Sequence, residues 1–440
     1  MQIVQQILFI LIAGIAAWIF AKKAVEIRRN IMLGRDEDLN DHPGKRWKNV
    51  LLLALGQKKM FKRPVPAILH FFVYAGFILI NIEVLEILLD GIFGQHRMFG
   101  PLLGDFYPVV IGFFEVLAVL VLVSVIVFLI RRNILKVRRL NMKELNGWPR
   151  KDANTILYRE VALMSMLLVM NIADQELMER AGGHVYSFFV TGMFAGVFDT
   201  MSTPALSLLE RICWWGHILG IFAFLNYLPY SKHFHIILAF PNAYYTRLEP
   251  QGEMENMKAI QNEVLYMMQP ELAPAATADQ PAHQRFGAKD VTDLSWKSLL
   301  DSYSCTECGR CTAVCPANIT GKKLSPRKIM MDTRDRVEEV GKNINKNKIF
   351  QDDGKSLVHD YITVEELRAC TTCQACVEAC PVGIEPLSII NELRRYLIME
   401  ESNAPQEWNL MSANIENNMA PWKFSPDDRD KWVEEMNAQS

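Results

Sequence analysis

The chain has 440 residues, enough for two or three domains, and a formal net charge of −2 at pH 7. This balance excludes a globally basic nucleic-acid-binding protein, so no nucleic acid is expected as a partner. The two halves differ, because long apolar runs fill residues 1–240 and charged and polar residues dominate afterwards.

Five apolar runs in the first half are long enough to span a bilayer. Basic residues follow the first run rather than precede it, which predicts an uncleaved helix instead of a signal peptide. The shorter apolar piece Val185–Phe198 is predicted to lie outside the membrane or re-entrant over the bundle. The predicted spans are Ile3–Ala21, Val65–Leu89, Pro108–Ile130, Tyr158–Gln175 and Leu206–Leu228.

The distribution of Lys and Arg predicts the orientation. The loops after the first and third spans are rich in basic residues, whereas the other two membrane loops have only Arg97 and Arg180. Because basic loops stay in the cytoplasm, the amino terminus is expected outside a bacterial inner membrane. The fifth span then ends on the cytoplasmic side, together with everything that follows it.

Ionisable residues inside the spans are candidates for function, because burying them in lipid is costly. Glu83, Glu86 and Asp174 are candidate proton carriers, and ion pairs between helices are the alternative explanation. His70 lies about one turn inside the cytoplasmic boundary, and His235 lies at the cytoplasmic end of the fifth span. The two imidazoles are predicted to bind a b-type haem from both axial sides, with a hydrogen bond to a neighbouring helix as the alternative for a lone membrane histidine.

The motif P-Y-S-K-x-x-H at Pro229–His235, with His217 eighteen residues before His235, resembles the cytochrome b subunit of respiratory nitrate reductase. It is also similar to the membrane subunits of heterodisulfide reductase and of dissimilatory sulfur complexes. In that family helix five supplies two haem ligands at this spacing, and helix two supplies two more, ten residues apart. Here His70 matches the first of these, but Ile80 stands at the second. The resemblance therefore implies one haem, held by His70 and His235.

This departure leaves His217 without an evident partner. It is a ligand of a second haem, a quinone contact, or a buried hydrogen-bonded residue. His233 is an alternative to His235, although the motif favours His235. Beyond the membrane half, Met254–Met268 has helical periodicity and Pro270–Pro281 is typical of a flexible connector.

Eight of the nine cysteines form two runs of C-x-x-C-x-x-C-x-x-x-C-P. This spacing is typical of ferredoxins with two [4Fe–4S] clusters, in which the fourth cysteine of each run serves the other cluster. Structural zinc prefers pairs of ligands and is disfavoured, and the thiols are expected in a reducing cytoplasm. Cys213 stands alone as a packing residue. The predicted ligand sets are Cys305, Cys308, Cys311 and Cys380 for one cluster, and Cys370, Cys373, Cys376 and Cys315 for the other.

The two runs are separated by about fifty residues, of which Ser325–Lys348 is compatible with a helix. This arrangement resembles the α-helical ferredoxin domain found in the C component of heterodisulfide reductase, in succinate dehydrogenase iron–sulfur subunits and in anaerobic glycerol-3-phosphate dehydrogenase. No CCG motif, which does thiol or flavoprotein chemistry in related proteins, follows in this chain. The polar tail carries Trp408, Trp422 and Trp432, which pack on the cluster domain or dock a partner, unless the end is unstructured.

The expected fold is all-α. It has a five-helix membrane cytochrome b domain (1–245), a linker (246–293), an α-helical ferredoxin domain (294–400) and a polar tail (401–440). Nucleotide-binding and hydrolase motifs are absent from the sequence, so we expect redox carriers and no site for chemistry on a soluble substrate.

The sequence predicts a membrane-bound respiratory electron-transfer subunit of an oxidoreductase complex. Electrons would pass between menaquinone or ubiquinone, haem b, the two clusters and a cytoplasmic CCG-type or flavoprotein partner. An iron–sulfur redox sensor or a structural anchor without quinone chemistry is the alternative, and an ion pump is disfavoured by the few charges at mid-span. The direction of electron flow stays open.

Overall fold

The computed structural model describes residues 2–182, 185–250, 253–254, 256–273, 285–423 and 425–439. Within these ranges the chain is helical and contains no β-strand, which confirms the expected all-α class. Part of the predicted connector, residues 274–281, lies outside the described residues.

Five long helices have the length and apolar character of membrane spans, which confirms the predicted number. Four of them extend beyond the predicted apolar runs, and α1 and α4 do so by at least ten residues. They are α1 (Gln2–Ile31), α2 (Pro64–Phe93), α3 (Tyr107–Leu129), α4 (Trp148–Ala181) and α5 (Thr203–Tyr227).

The five helices close into a ring. Each of α2, α3 and α4 packs on the next, and α1 closes the ring by contacting both α2 and α5. Phe9 of α1 is 1% exposed and lies 5.8 Å from the ring of Trp214 and 6.0 Å from that of Phe222. Gly91 of α2 permits this approach, because a Cβ there would lie 2.6 Å from the Phe9 ring. A small residue opposite an aromatic one therefore sets the distance between these helices.

The segment between α4 and α5 does not span the membrane. Its described part contains a short 3-10 turn, Thr191–Phe194, which lies over one end of the ring. The carboxylate of Glu115 accepts hydrogen bonds from the backbone N–H groups of Val190 at 3.0 Å and Thr191 at 3.1 Å. The prediction that Val185–Phe198 is not a span is confirmed.

The second half of the chain is a layer of shorter helices around the two cysteine runs. Among them, α10 begins with Pro326 after Ser325, whose hydroxyl accepts the N–H of Lys328 at 3.4 Å. The helices are α6 (His235–Tyr244), α7 (Lys258–Met268), α8 (Trp296–Ser304), α9 (Arg310–Val314), α10 (Pro326–Asn347), α11 (Ala375–Ala379), α12 (Pro386–Met399), α13 (Gln406–Asn418) and α14 (Lys431–Gln439). Shorter helical pieces lie between them, at Pro43–Asn49, Val50–Leu55, Phe99–Leu103, Ile130–Ile134, Pro316–Ile319, Leu357–Tyr361 and Val364–Arg368.

The membrane helices and the cysteine-bearing half share one core. Ile27 of α1 and Phe224 of α5 are buried in the same hydrophobic cluster as Val337 of α10 and Ile390 of α12. The end of α1 projects into that half, where the Asn30 amide donates to the Tyr303 hydroxyl at 3.0 Å. This shared core fixes the cysteine runs against one end of the ring.

The tail carries its tryptophans at the surface. Trp408 of α13 is 47% exposed, and the guanidinium of Arg368 lies 5.8 Å from its ring centroid. Trp422 and Trp432 are each 61% exposed. Trp408 therefore packs against the helix that leads into the second cysteine run, while the other two tryptophans face solvent.

Candidate redox centres

The two cysteine runs fold in the same way. In each run the residue before the second cysteine and the residue after it have positive φ: Glu307 and Gly309 in the first run, Thr372 and Gln374 in the second. A short helix then leads to the fourth cysteine, and the two short helices, α9 and α11, pack on each other. Matching loops and paired helices therefore bring each fourth cysteine beside the other run.

Gly309 is required by its surroundings. Its φ is +70°, and a Cβ would lie 2.4 Å from the guanidinium of Arg327 and 2.9 Å from the carbonyl oxygen of Arg139. The matching residue of the second run, Gln374, keeps a side chain because its position is only partly buried. The first loop is thus the more tightly enclosed of the two.

The first predicted set of thiols lines one cavity. Cys305, Cys308, Cys311 and Cys380 all border it, and Cys376 of the other set lies at its edge. Burial, with the neighbouring thiol of Cys308, raises the pKa of Cys380 to about 11. The fourth cysteine of the second run thus joins the first three of the first run.

The second predicted set converges in the same crossed manner. Burial, with the neighbouring thiols of Cys370, Cys315 and Cys373, raises the pKa of Cys376 to about 12. Cys373 is exposed, whereas Cys315 and Cys376 are buried. The second set therefore has an edge at the protein surface.

The donor chemistry suits iron–sulfur clusters. Two thiols accept backbone hydrogen bonds, from Thr372 N–H to Cys370 at 3.4 Å and from Ile384 N–H to Cys380 at 3.3 Å. Such bonds stabilise charged sulfur and tune cluster potentials. In the described residues no three His, Cys, Asp or Glu side chains are close enough to hold a single metal ion, so each set surrounds a space rather than a point.

The first set faces the membrane helices. The guanidinium of Arg139, after α3, donates to the carbonyl of Cys308. Arg310, between Cys308 and Cys311, donates to the carbonyl oxygens of Lys59 at 3.1 Å and Met60 at 3.3 Å, just before α2. The first set is thereby fixed between the ring and the second set.

Three histidines lie together at the same end of the ring. His70 is close enough to His235 for their charges to interact, and the rings of His233 and His235 are 5.4 Å apart. Burial, with the charges of His235 and His70, lowers the pKa of His233 to about 3, and burial lowers the pKa of His235. These three side chains are called the histidine cluster below. His233 and His235 are therefore neutral imidazoles, the form that binds metals.

Two members of the histidine cluster are oriented through Nδ1. The amide oxygen of Gln57 lies 3.1 Å from Nδ1 of His70, and the carbonyl oxygen of Lys232 lies 3.1 Å from Nδ1 of His235. An acceptor at Nδ1 leaves Nε2 as the ligating nitrogen. Gln57 escaped the sequence analysis, because a single glutamine after an apolar run carries no signal of its own.

His217 lies apart from the histidine cluster. It is 1% exposed, and its Nδ1 lies 3.0 Å from the carbonyl oxygen of Leu163 in α4. Its Nε2 is buried and has no hydrogen-bond partner among the described residues. The buried hydrogen bond expected in one interpretation is present, and the second nitrogen is still without a role.

The acidic residues near the far end of the ring form a hydrogen-bonded network. Arg97 donates to Asp174 at 2.6 Å and to the Tyr107 hydroxyl at 2.9 Å, and Tyr107 donates to Glu86 at 2.9 Å. Glu83 is 3% exposed, and one of its oxygens has no partner among the described residues. Of the three candidate proton carriers, two therefore bridge helices and Glu83 keeps an unpaired oxygen.

Crossed sets of thiols beside a membrane helix ring define the class of protein: an iron–sulfur membrane protein. Comparison with known families agrees, since residues 304–384 match the 4Fe-4S dicluster domain. No solved structure matches the chain.

Several curated proteins are similar to the chain. "Probable iron-sulfur-binding oxidoreductase FadF" of Bacillus subtilis is 27% identical over 98% of this chain and 61% of its own length. "EtfAB:quinone oxidoreductase" of Syntrophomonas wolfei is 28% identical over 90% of this chain and 55% of its own length. One component of the "Ferredoxin/F(420)H(2)-dependent CoB-CoM heterodisulfide reductase" of Methanosarcina acetivorans is 36% identical over 24% and 53%, respectively.

The chain thus spans little more than half the length of the two relatives that it matches along most of its own length. Together with the dicluster domain, these relatives support an electron-transfer role that uses [4Fe–4S] clusters.

Proposed function

We propose that this chain passes electrons between membrane quinone and a cytoplasmic redox protein through a b-type haem and two [4Fe–4S] clusters. The observation that carries the proposal is the placement of the first cysteine set between the histidine cluster and the second set. When bound, the haem and the clusters accept and donate single electrons. The protein's own residues supply binding, orientation and insulation.

The residues fit the proposed clusters. Cys305, Cys308, Cys311 and Cys380 would hold one cluster, and Cys315, Cys370, Cys373 and Cys376 the other. Burial raises the pKa of Cys305 to about 12, so this thiol keeps its proton until iron binds and displaces it.

The histidine cluster fits a haem at the cytoplasmic end of the ring. His70 and His235 would be the axial ligands, with Gln57 and the carbonyl of Lys232 holding their Nδ1–H groups. His233 is the alternative to His235. His217 is left as a ligand of a second haem, a quinone contact or a structural residue.

Quinone is proposed to bind within the ring near the haem. Glu83, whose buried carboxylate has an unpaired oxygen, is the best-placed proton carrier. Glu86 and Asp174 are weaker candidates, because each already accepts hydrogen bonds that hold helices together.

The cytoplasmic partner is proposed to meet the exposed edge of the second set at Cys373. The name of the Syntrophomonas wolfei relative favours an electron-transferring flavoprotein, and the similarity to a heterodisulfide reductase component favours a CCG-type protein. The exposed Thr371–Cys373 loop is where such a partner would approach most closely.

Anaerobic purification with metal analysis and a visible spectrum tests the proposal. We expect about eight iron atoms in clusters per chain and reduced b-type absorption bands. Both His70→Ala and His235→Ala should remove the bands and leave the cluster iron in place. Intact clusters without any haem would overturn the cytochrome part, and an iron-free protein would overturn the whole proposal.

A further inference from the structure

A groove outside the redox centres lies where α2 begins and the helical extension of α3 ends. It has a volume of about 530 Å³, and its walls come from both helix ends, the loop after α3 and the short helix α9. Because α2 and α3 are both membrane spans, the groove lies at one membrane boundary. Its lining residues are Lys62, Arg63, Pro64, Val65, Pro66, Arg131, Val137, Arg138, Arg139 and Ala313.

The charge of the groove is one-sided. Five of its ten lining residues are Lys or Arg, and none is acidic. Lys62 pairs with Glu378, and Arg139 donates to a backbone carbonyl. Arg63, Arg131 and Arg138 have no carboxylate within 4.0 Å in the part of the chain that the structure describes. Three arginines thus border one cavity without a counter-charge.

The other half of the lining is apolar. Pro64, Val65 and Pro66 form a wall at the start of α2, and the two prolines offer no backbone N–H. Cations beside an apolar wall at a membrane boundary match a phosphodiester headgroup with its glycerol and upper acyl chains. Basic pockets between transmembrane helices on the cytoplasmic side bind such headgroups.

We propose that this groove binds the headgroup of an anionic phospholipid. Arg63, Arg131 and Arg138 contact the phosphate oxygens, and Pro64–Pro66 contact the glycerol and the first methylene groups. A scattered excess of cytoplasmic cations would satisfy the positive-inside rule without lining one cavity. The lipid, rather than a soluble anion, is the occupant because the groove opens where two spans leave the bilayer.

The groove also adjoins the first cysteine set. Arg139 contacts the backbone of Cys308, and Ala313 lies between Cys311 and Cys315. A bound anion weakens the positive field at this set, so it lowers the midpoint potential of the first cluster. This consequence rests on the proposed function, whereas lipid binding does not.

The test uses the full chain in phosphatidylcholine nanodiscs with cardiolipin titrated in, and measures retained cardiolipin by native mass spectrometry. The triple variant Arg63→Gln/Arg131→Gln/Arg138→Gln should bind cardiolipin on the order of 100-fold more weakly, given the contribution of each cation. Lys45→Gln/Lys48→Gln/Lys58→Gln removes three cations outside the groove and should bind as the wild type does. Unchanged iron content shows that the variants fold, and the corresponding Arg→Lys variant should keep the affinity.

Equal losses in the two triple variants would overturn the proposal, because general basicity would then explain binding. Displacement of cardiolipin by millimolar inorganic phosphate would also overturn it, since a soluble anion would fill the site. A groove variant that keeps cardiolipin but loses electron exchange with a soluble partner would assign the groove to protein docking instead. Lipid binding without a shift in cluster potential would leave the site standing and refute only the coupling.

Discussion

Lys232 and Glu307 form a buried ion pair between the turn after α5 and the loop of the first cysteine run. Their side chains are 10% and 3% exposed, and Glu307 also accepts a hydrogen bond from Arg334 at 2.7 Å. The backbone carbonyl of Lys232 meanwhile lies beside Nδ1 of His235. A single lysine therefore contacts both the histidine cluster and the first cysteine run, and it fixes their relative position.

Removing this cation should loosen the boundary between the two halves. Lys232→Met leaves Glu307 buried with one cation instead of two, and breaking such a pair costs about 3 kcal/mol. We expect the cluster absorbance to be lost at a lower urea concentration than in the wild type. Lys322→Met, at an exposed position, is the control, and equal urea midpoints for the two variants would refute a structural role for the pair.

Gln57 should determine how tightly the haem is held. The residue has φ of +49°, which asparagine tolerates, and the shorter side chain of Gln57→Asn no longer reaches His70. Loss of such a supporting acceptor typically lowers metal affinity by about 10- to 100-fold, so haem should be released at lower denaturant or competitor concentrations. Haem transfer to apomyoglobin measures this, with Gln261→Asn on the exposed face of α7 as the control. The same transfer rate in both variants would show that Gln57 does not support the ligand.

The crossed ligand sets predict which cysteine variants share a phenotype. Cys380→Ser should change the same electron paramagnetic resonance signal as Cys305→Ser, although the two residues belong to different runs. Likewise, Cys315→Ser should match Cys376→Ser. Cys213→Ser, within α5, should leave both signals unchanged. Signals that group by run rather than by set would contradict the crossed arrangement.

A buried carboxyl in α10 should make stability depend on pH. Burial raises the pKa of Asp332 to about 6, above its ordinary value of 3.8, so the folded protein holds this proton over a range where the unfolded chain has lost it. The stabilisation is complete below about pH 4 and is lost as the pH rises through about 6.

Between about pH 5 and pH 7 the wild type should therefore lose more thermal stability than Asp332→Asn, which has no proton to release. The exposed Asp36→Asn is the control and should follow the wild type. Parallel pH profiles for Asp332→Asn and the wild type would show that this carboxyl does not contribute.

The spans and the cysteine runs were predictable because each rests on a local pattern. A run of about twenty apolar residues indicates a membrane span, and a fixed cysteine spacing accompanies a fixed loop. The end of α1 was not predictable: Lys23 and Asn30 are typical of a membrane boundary, yet they contact Glu338 and Tyr303 in the cysteine-bearing half. These contacts join residues 315 and 273 positions apart, which no local pattern encodes.

The predicted site residues show the same limit. The motif that contains His235 predicted a ligand, but the role of its Lys232 depends on Glu307, which is distant in the sequence. The carboxylates of Glu86 and Asp174 differ from that of Glu83 only through their partners, Tyr107 and Arg97. Composition alone could not separate them.

Quinone-dependent oxidation of the clusters tests the central claim most directly. The anaerobic protein is reduced, excess reductant is removed, and a menaquinone or ubiquinone analogue is added while the cluster absorbance is followed. The wild type should be reoxidised, and His235→Ala with its full cluster iron should be reoxidised far more slowly, because the histidine cluster lies between the ring and the first cysteine set. Equal rates in the two proteins, or no reoxidation of the wild type, would contradict the proposed path.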